Sequence, residues 1–249
     1  MTLTPPVEQA GPRLGFLHTS PVHVTAFDAL VEEVDPSASA VSIVDEALLT
    51  RARAGHADDA LLDAVRTALD RLTGAGARVV VCTCSTIGAI AERVGLDTGV
   101  PVLRVDRPMA ERAVRTSGAR PGAPARILVV VALGSTIDPT TALLAASAAA
   151  AGREIAVEVL RCDDAWPVFE AGRQDAFAAA VAGAVTAAVA PGSGEAGPGA
   201  DVVVLAQASM APAAVLLAGL GVPVLSSPRE AVRCALDLAS ADRPRGLSG

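Results

Sequence analysis

Along the chain, short runs of valine, isoleucine, leucine and alanine alternate with segments whose apolar positions recur at three- and four-residue steps. The first kind of run reads as a β-strand and the second as the buried face of a helix, so the alternation predicts βα units around parallel sheets. Strands are expected at Leu14–His18, Ala40–Val44, Val79–Thr83 and Val102–Val105, and again at Ile127–Leu133, Ile155–Leu160, Val202–Ala206 and Val222–Leu225. Between the second and third of these, Leu61, Leu62, Val65, Ala68, Leu69 and Leu72 share one face and predict a helix over 57–74.

The two sets of strands are carried by related sequence. LHTS at 17–20 matches LGST at 133–136, VVVCTCSTIGA at 79–89 matches VVVLAQASMAP at 202–212, and VPVLRVDRP at 100–108 matches VPVLSSPRE at 222–230. Order is kept and the offset is roughly 115 to 125 residues each time, which a duplication explains. The predicted class is α/β, with two pseudo-symmetric flavodoxin-like lobes, each a parallel four-stranded sheet flanked by helices. Residues 12–116 and 227–240 are assigned to lobe 1, with the C-terminal helix packing back on it, and 126–226 to lobe 2. Residues 1–11 and 241–249 read as loose termini. SGARPGAPAR at 117–126 is the expected crossing between lobes, and APGSGEAGPGA at 190–200 an expected surface loop.

Composition narrows the functions open to such a chain. Of 249 residues, 51% are hydrophobic and 19% charged, which is ample material for packed interiors. Aromatics are 2%, Tyr is absent and the formal net charge is -7, so base-stacking platforms and a phosphate-neutralising surface are missing and nucleic acid is not an expected partner. The uncharged stretches 176–193 and 202–228 are broken by Gly183 and Pro191, and by Gln207, Pro212 and Gly221, so neither reads as a membrane span. The first residues lack the features of a secretory signal, and the expected location is cytoplasmic. Cys82, Cys84, Cys162 and Cys234 lack paired metal-site spacing, so they read as cytosolic thiols and no metal is expected. A homo-oligomer is left open.

Ligands of an open parallel sheet collect at the carboxyl ends of its strands. Cys84, Ser85 and Thr86 fall there, after the strand at 79–83, and a helix starting near Thr86 or Ile87 would aim its N–H groups at this turn, where they suit a thiolate or a carboxylate. The plain alternative for Cys84 is a small turn residue. Cys82 lies inside VVVCT and reads as core packing, as do Cys162 and Cys234, which have no partner motif. Asp106 and Arg107 follow the fourth strand; Arg107 is a weak candidate for a distal carboxylate, because charges at a helix start are usually solvated. GSGEAG at 192–197 matches a dinucleotide fingerprint letter for letter, but a helical alanine run precedes it and Pro198 follows, so it is not read as a nucleotide site.

LHTS after the first strand, CTCSTIG after the third, GST opening the second half and LAQASMA after its matching strand together resemble the aspartate/glutamate/hydantoin racemase superfamily, over roughly 14–238 of the chain. The resemblance implies two pseudo-symmetric α/β lobes, no cofactor or metal, and a small carboxylate substrate held between two cysteines, one per lobe. It makes Cys84 the first-lobe acid/base and Ser85 and Thr86 carboxylate holders. His18, followed by Thr19 and Ser20, stands where amino-acid racemases of the family keep an acidic helper, and Ser135 and Thr136 occupy the mirror position. The chain departs from the pattern at the second cysteine: where related hydantoin racemases carry a motif like LGCAGMA, LAQASMA puts Gln207, with Ser209 beyond it.

Gln has no proton to exchange at neutral pH, although its amide both donates and accepts hydrogen bonds. His18 is the alternative second acid, since imidazole titrates near neutrality. The plain alternatives are a capping role for His18 and turn or N-cap roles for Gln207 and Ser209. The leading expectation is a cofactor-independent isomerase or racemase acting beside a carboxylate of a small amino or dicarboxylic acid, with Cys84, His18 and Gln207 at the chemistry. Hydroxyls at Thr19, Ser20, Ser85, Thr86, Ser135, Thr136 and Ser209 would hold the substrate. Rival readings are a single-cysteine lyase, as in arylmalonate decarboxylases, thiolate addition as in maleate isomerases, and a non-catalytic carboxylate-binding protein.

Overall fold

All eight expected strands form, each within two residues of its expected limits. The computed structural model describes residues 11–55, 58–116, 124–190 and 199–241. The expected loose termini, the crossing at 117–126 and the glycine-rich loop at 190–200 with its GSGEAG fall wholly or mainly outside those residues. Two compact units divide the described chain: residues 11–82, 90–103 and 232–241 form one, and 83–89 with 104–231 the other.

The first half of the chain runs β1 (Arg13–His18), α1 (Val22–Val34), β2 (Ser39–Val44), α2 (Glu46–Arg53), α3 (Asp59–Gly74), β3 (Val79–Cys82), α4 (Gly88–Gly95) and β4 (Val102–Arg104). Its sheet has the order β2-β1-β3-β4, with β1 parallel to β2 and β3. The predicted helix over 57–74 is α3: the Asp58 carboxylate caps it by accepting from Leu61 N at 3.0 Å, and Leu61, Val65, Ala68, Leu69 and Leu72 are its buried face. Burying each such leucine stabilises the unit by about 1.5–3 kcal/mol.

The second half continues with α5 (Arg107–Thr116), β5 (Ala125–Val131), α6 (Ile137–Ala150), β6 (Ile155–Arg161), α7 (Trp166–Glu170), α8 (Gln174–Val189), β7 (Val202–Leu205), α9 (Ala211–Leu216), β8 (Val224–Ser226) and α10 (Ser227–Ala241). The order β6-β5-β7-β8 repeats that of the first sheet, as the internal sequence repeat requires. On one face Ile127, Val129, Val131, Val202 and Val204 pack with Met109 and Ala113 of α5 and Leu143 and Leu144 of α6. On the other, Leu128, Val130, Val203 and Leu205 pack with Phe177, Val181 and Val185 of α8. A strand covered on both faces has no polar side to show, which is why its sequence is a continuous apolar run instead of an alternation.

By its packing on α6 and β7, α5 goes with the second unit, whereas the expected boundary put residues through 116 in lobe 1. The physical reason is the apolar face Met109, Ala110, Ala113 and Val114, which is buried against the second sheet. Among the described residues, no helix is long and apolar enough to cross a membrane.

Candidate active site

In the second unit, three turns converge. Strands β5 and β7 are parallel neighbours in register, Val130 opposite Leu205, so the residues that leave them, Ala132–Leu133 and Ala206–Gln207, stand side by side at the carboxyl end of the sheet. Each exit continues through a short 3-10 turn, Gly134–Thr136 after β5 and Ala208–Met210 after β7, before α6 and α9 begin. The third turn is 83–87, which leads from β3 to α4 and groups with this unit.

Two hydroxyls seat that third turn. Ser85 Oγ donates to the Ala206 carbonyl at 2.9 Å in a buried bond, which brings the residue after Cys84 to the residue before Gln207. Thr86 Oγ1 and Ser135 Oγ are 3.3 Å apart. Each of those hydroxyls carries one hydrogen, and only one of the two hydrogens lies between the oxygens. The other remains for an acceptor, and both side chains are half-buried. Cys84 itself is 9% exposed, Thr136 is buried and Ser209 is half-buried in the turn that follows Gln207.

Gln207 is locked. Its Oε1 accepts from Ala132 N at 2.6 Å and from Leu133 N at 3.2 Å. Backbone N–H groups only donate, so the atom facing them must be the carbonyl oxygen, which fixes the amide's orientation and leaves Nε2 as a donor. The residue is 8% exposed.

Arg104 was not singled out by its sequence. It is 3% exposed and forms a two-pronged ion pair with Asp106, Nε to Oδ1 at 2.6 Å and Nη2 to Oδ2 at 2.8 Å. Nη2 also reaches the Pro139 carbonyl at 3.2 Å and the Ser85 carbonyl at 3.5 Å. The expectation that charges here are solvated is corrected for Asp106, which is 0% exposed because the Arg104 fork meets it. The signal was available: a charge inside the apolar run VLRVD, with its counter-charge two residues on, lies on the same side of an extended segment.

His18, Thr19 and Ser20 stand together at the end of β1, in the first unit. The imidazole is fully buried, 5.8 Å from the Phe16 ring and 5.6 Å from Phe27, and its Nε2 lies 3.2 Å from Ser42 Oγ. The expected titration near neutrality is therefore corrected: burial, and then the neighbouring His23, pull its pKa from 6.5 to about 3. Thr19 is buried and Ser20 half-buried. Cys82 lies at 0% exposure within β3, matching its reading as core, and burial with the nearby Asp163 pushes the Cys162 thiol up. Among the described residues, no three His, Cys, Asp or Glu side chains gather as a metal ion would need.

No protein-family model matches the chain, and no curated protein matches it. Solved structures do. The aspartate racemase of Picrophilus torridus superposes with a TM-score of 0.67 at 13% identity, over 92% of this chain and 95% of that one. A glutamate racemase from Bacillus anthracis gives 0.64 at 19%, over 93% and 83%. An unliganded arylmalonate decarboxylase gives 0.55 at 18%, over 93% and 94%. The chain thus has the fold of the racemase structures, and the resemblance first seen in its turn motifs extends to the three-dimensional architecture.

Proposed function

We propose that the chain is an enzyme of the aspartate/glutamate/hydantoin racemase superfamily, working at the carbon beside the carboxylate of a small acid with Cys84 as its one proton-transfer group. The observation that carries this reading is the fixed amide of Gln207, whose oxygen is held by Ala132 N and Leu133 N. An amide so held offers a donor to a developing oxygen charge and no acid. The second-acid alternative, His18, stays neutral at neutral pH.

Racemisation with one acid on each face has little support from such a pair, and protonation on a single face has more. In a decarboxylation the bond to the departing carboxylate breaks and CO₂ leaves without the electron pair. The charge then spreads over the oxygens of the carboxylate that stays. Donors from Gln207, Thr86 and Ser135 would lower the energy of that charge-rich state, and removing one such donor typically costs about 10²–10³ in rate. The Cys84 S–H then protonates the carbon, and water restores the thiol.

A panel of α-amino acids, C-substituted malonates and cis-unsaturated diacids, incubated with the protein in D₂O and followed by NMR, tests this. The expected result is label on one face of the carbon beside the carboxylate, abolished by Cys84→Ala. Label on both faces with loss of optical activity would establish a second acid and overturn the single-thiol form. Turnover unaffected by Cys84→Ala would remove the thiol from the chemistry, and no turnover across the panel would favour a binding protein.

A further inference from the structure

A buried ion pair is seldom there for stability alone, since removing two charges from water costs several kcal/mol per ion and well-packed apolar residues often do as well. Where the pair touches something else, that contact indicates its use. Arg161 and Asp163 have the same two-residue spacing and a 2.9 Å bond, but they are 58% and 49% exposed. Arg104 differs. Its fork is held flat by both oxygens of Asp106, and the same Nη2 that completes the pair points to the carbonyls of Ser85 and Pro139.

The Ser85 carbonyl belongs to the turn that carries Thr86, and the Pro139 carbonyl to the helix that directly follows the turn carrying Ser135. Ser85 lies between Cys84 and Thr86, and Pro139 sits three residues after Thr136 in the first turn of α6. One guanidinium nitrogen thus reaches both the turn that carries Thr86 and the first turn of α6, just beyond Ser135, and the Thr86 and Ser135 hydroxyls are 3.3 Å apart. Gly88 makes room for it: a β-carbon there would lie 2.8 Å from Arg104 Cβ and 3.2 Å from Nε.

Resting on the carboxylate-site reading above, we infer that Arg104, its plane fixed by Asp106, is the positioning residue that sets the spacing of the two hydroxyl-bearing turns and so the carboxylate grip beside Cys84. A planar fork with several donors can bridge two turns and a carboxylate at once; a lysine keeps the charge but not that geometry.

The test uses the full-length protein and two alkylating agents of nearly equal size, anionic iodoacetate and neutral iodoacetamide. In each the thiolate sulfur displaces iodide. Rates are read separately at Cys84 and at half-buried Cys234 by digestion and mass spectrometry, so Cys234 serves as the reference thiol of the same chain. Wild type is expected to favour iodoacetate at Cys84 by about tenfold relative to Cys234, the scale of a charge-assisted hydrogen bond. Arg104→Lys is expected to erase that preference while leaving the iodoacetamide rate at Cys84 within about threefold, because the charge is kept and the fork is lost. The double variant Arg104→Met/Asp106→Leu leaves no orphan charge and must lose the preference too. A preference retained in either variant overturns the positioning role and leaves the carboxylate site standing. No preference in wild type overturns the carboxylate site, and the inference with it.

Discussion

Gly88 and Arg104 occupy space that only one of them can hold with a side chain: a β-carbon at 88 would come within 2.8 Å of Arg104 Cβ. Because Arg104 is buried and tied to Asp106 and two carbonyls, it has little room to yield. Gly88→Ala is expected to destabilise by about 1–3 kcal/mol through overpacking, despite alanine's better helix propensity. A urea denaturation midpoint equal to or above wild type would show that Arg104 moves aside freely.

The two backbone N–H groups that hold Gln207 make its replacements unequal. Gln207→Leu leaves both Ala132 N and Leu133 N without their acceptor, at about 1–3 kcal/mol for each group that stays dry. Gln207→Glu keeps an acceptor in the same place and strengthens the bond with charge, so it is expected to be more stable than Gln207→Leu. Both variants lose the amide donor, and both should therefore be slow in the D₂O assay. Equal stability of the two, measured by thermal unfolding at pH 7, would mean that water replaces the lost oxygen.

Two histidines, His18 fully buried and His23 half-buried, make the fold sensitive to acid. Burial lowers His18 to about 3 and His23 to about 4, both from 6.5. The unfolded chain thus binds more protons than the folded one as pH drops below 6.5, and stability falls in that direction. The contribution is fully present above pH 6.5 and is lost as pH falls through the folded values, with a slope of up to about 1.4 kcal/mol per pH unit for each ring. His18→Gln removes one of the two titrating groups and should flatten the decline between pH 6.5 and 4 in urea titrations. A slope unchanged by the substitution would place the His18 proton in contact with water.

The sheets, and the turns that make up the candidate site, were legible because each rests on local or repeated sequence. Apolar runs such as ILVVV leave few choices for a strand covered on both faces, and the duplication of VVVCTCSTIGA as VVVLAQASMAP fixed both strand order and the pairing of Cys84 with Gln207 as counterpart positions. What escaped depends on neighbours distant in sequence. Nothing in LHTS reveals that Phe16, Phe27 and His23 crowd the His18 ring and strip it of water. Likewise the Ser85 and Pro139 carbonyls that Arg104 meets lie 19 and 35 residues away from it. The sheet that α5 covers likewise depends on residues far along the chain, from Ile127 to Leu225.

Ser85 and Thr86 are adjacent hydroxyls with different tasks. Ser85 Oγ spends its hydrogen on the Ala206 carbonyl in a buried bond at 2.9 Å, so it is a strut and has no donor left for a ligand. Thr86 Oγ1 faces only Ser135 Oγ, at 3.3 Å, and between them they keep one hydrogen for an incoming oxygen. Ser85→Ala should lower stability by about 0.5–1.5 kcal/mol and, by loosening the Cys84 turn, lower kcat with little change in KM. Thr86→Ala and Ser135→Ala should leave stability within about 0.5 kcal/mol of wild type, as partly exposed sites do, and raise KM for the substrate found in the panel. The double variant is expected to be no worse than the poorer single one, because either loss breaks the same grip. Additive effects of the two, or a rise in KM for Ser85→Ala with unchanged unfolding, would reassign the carboxylate to the buried serine.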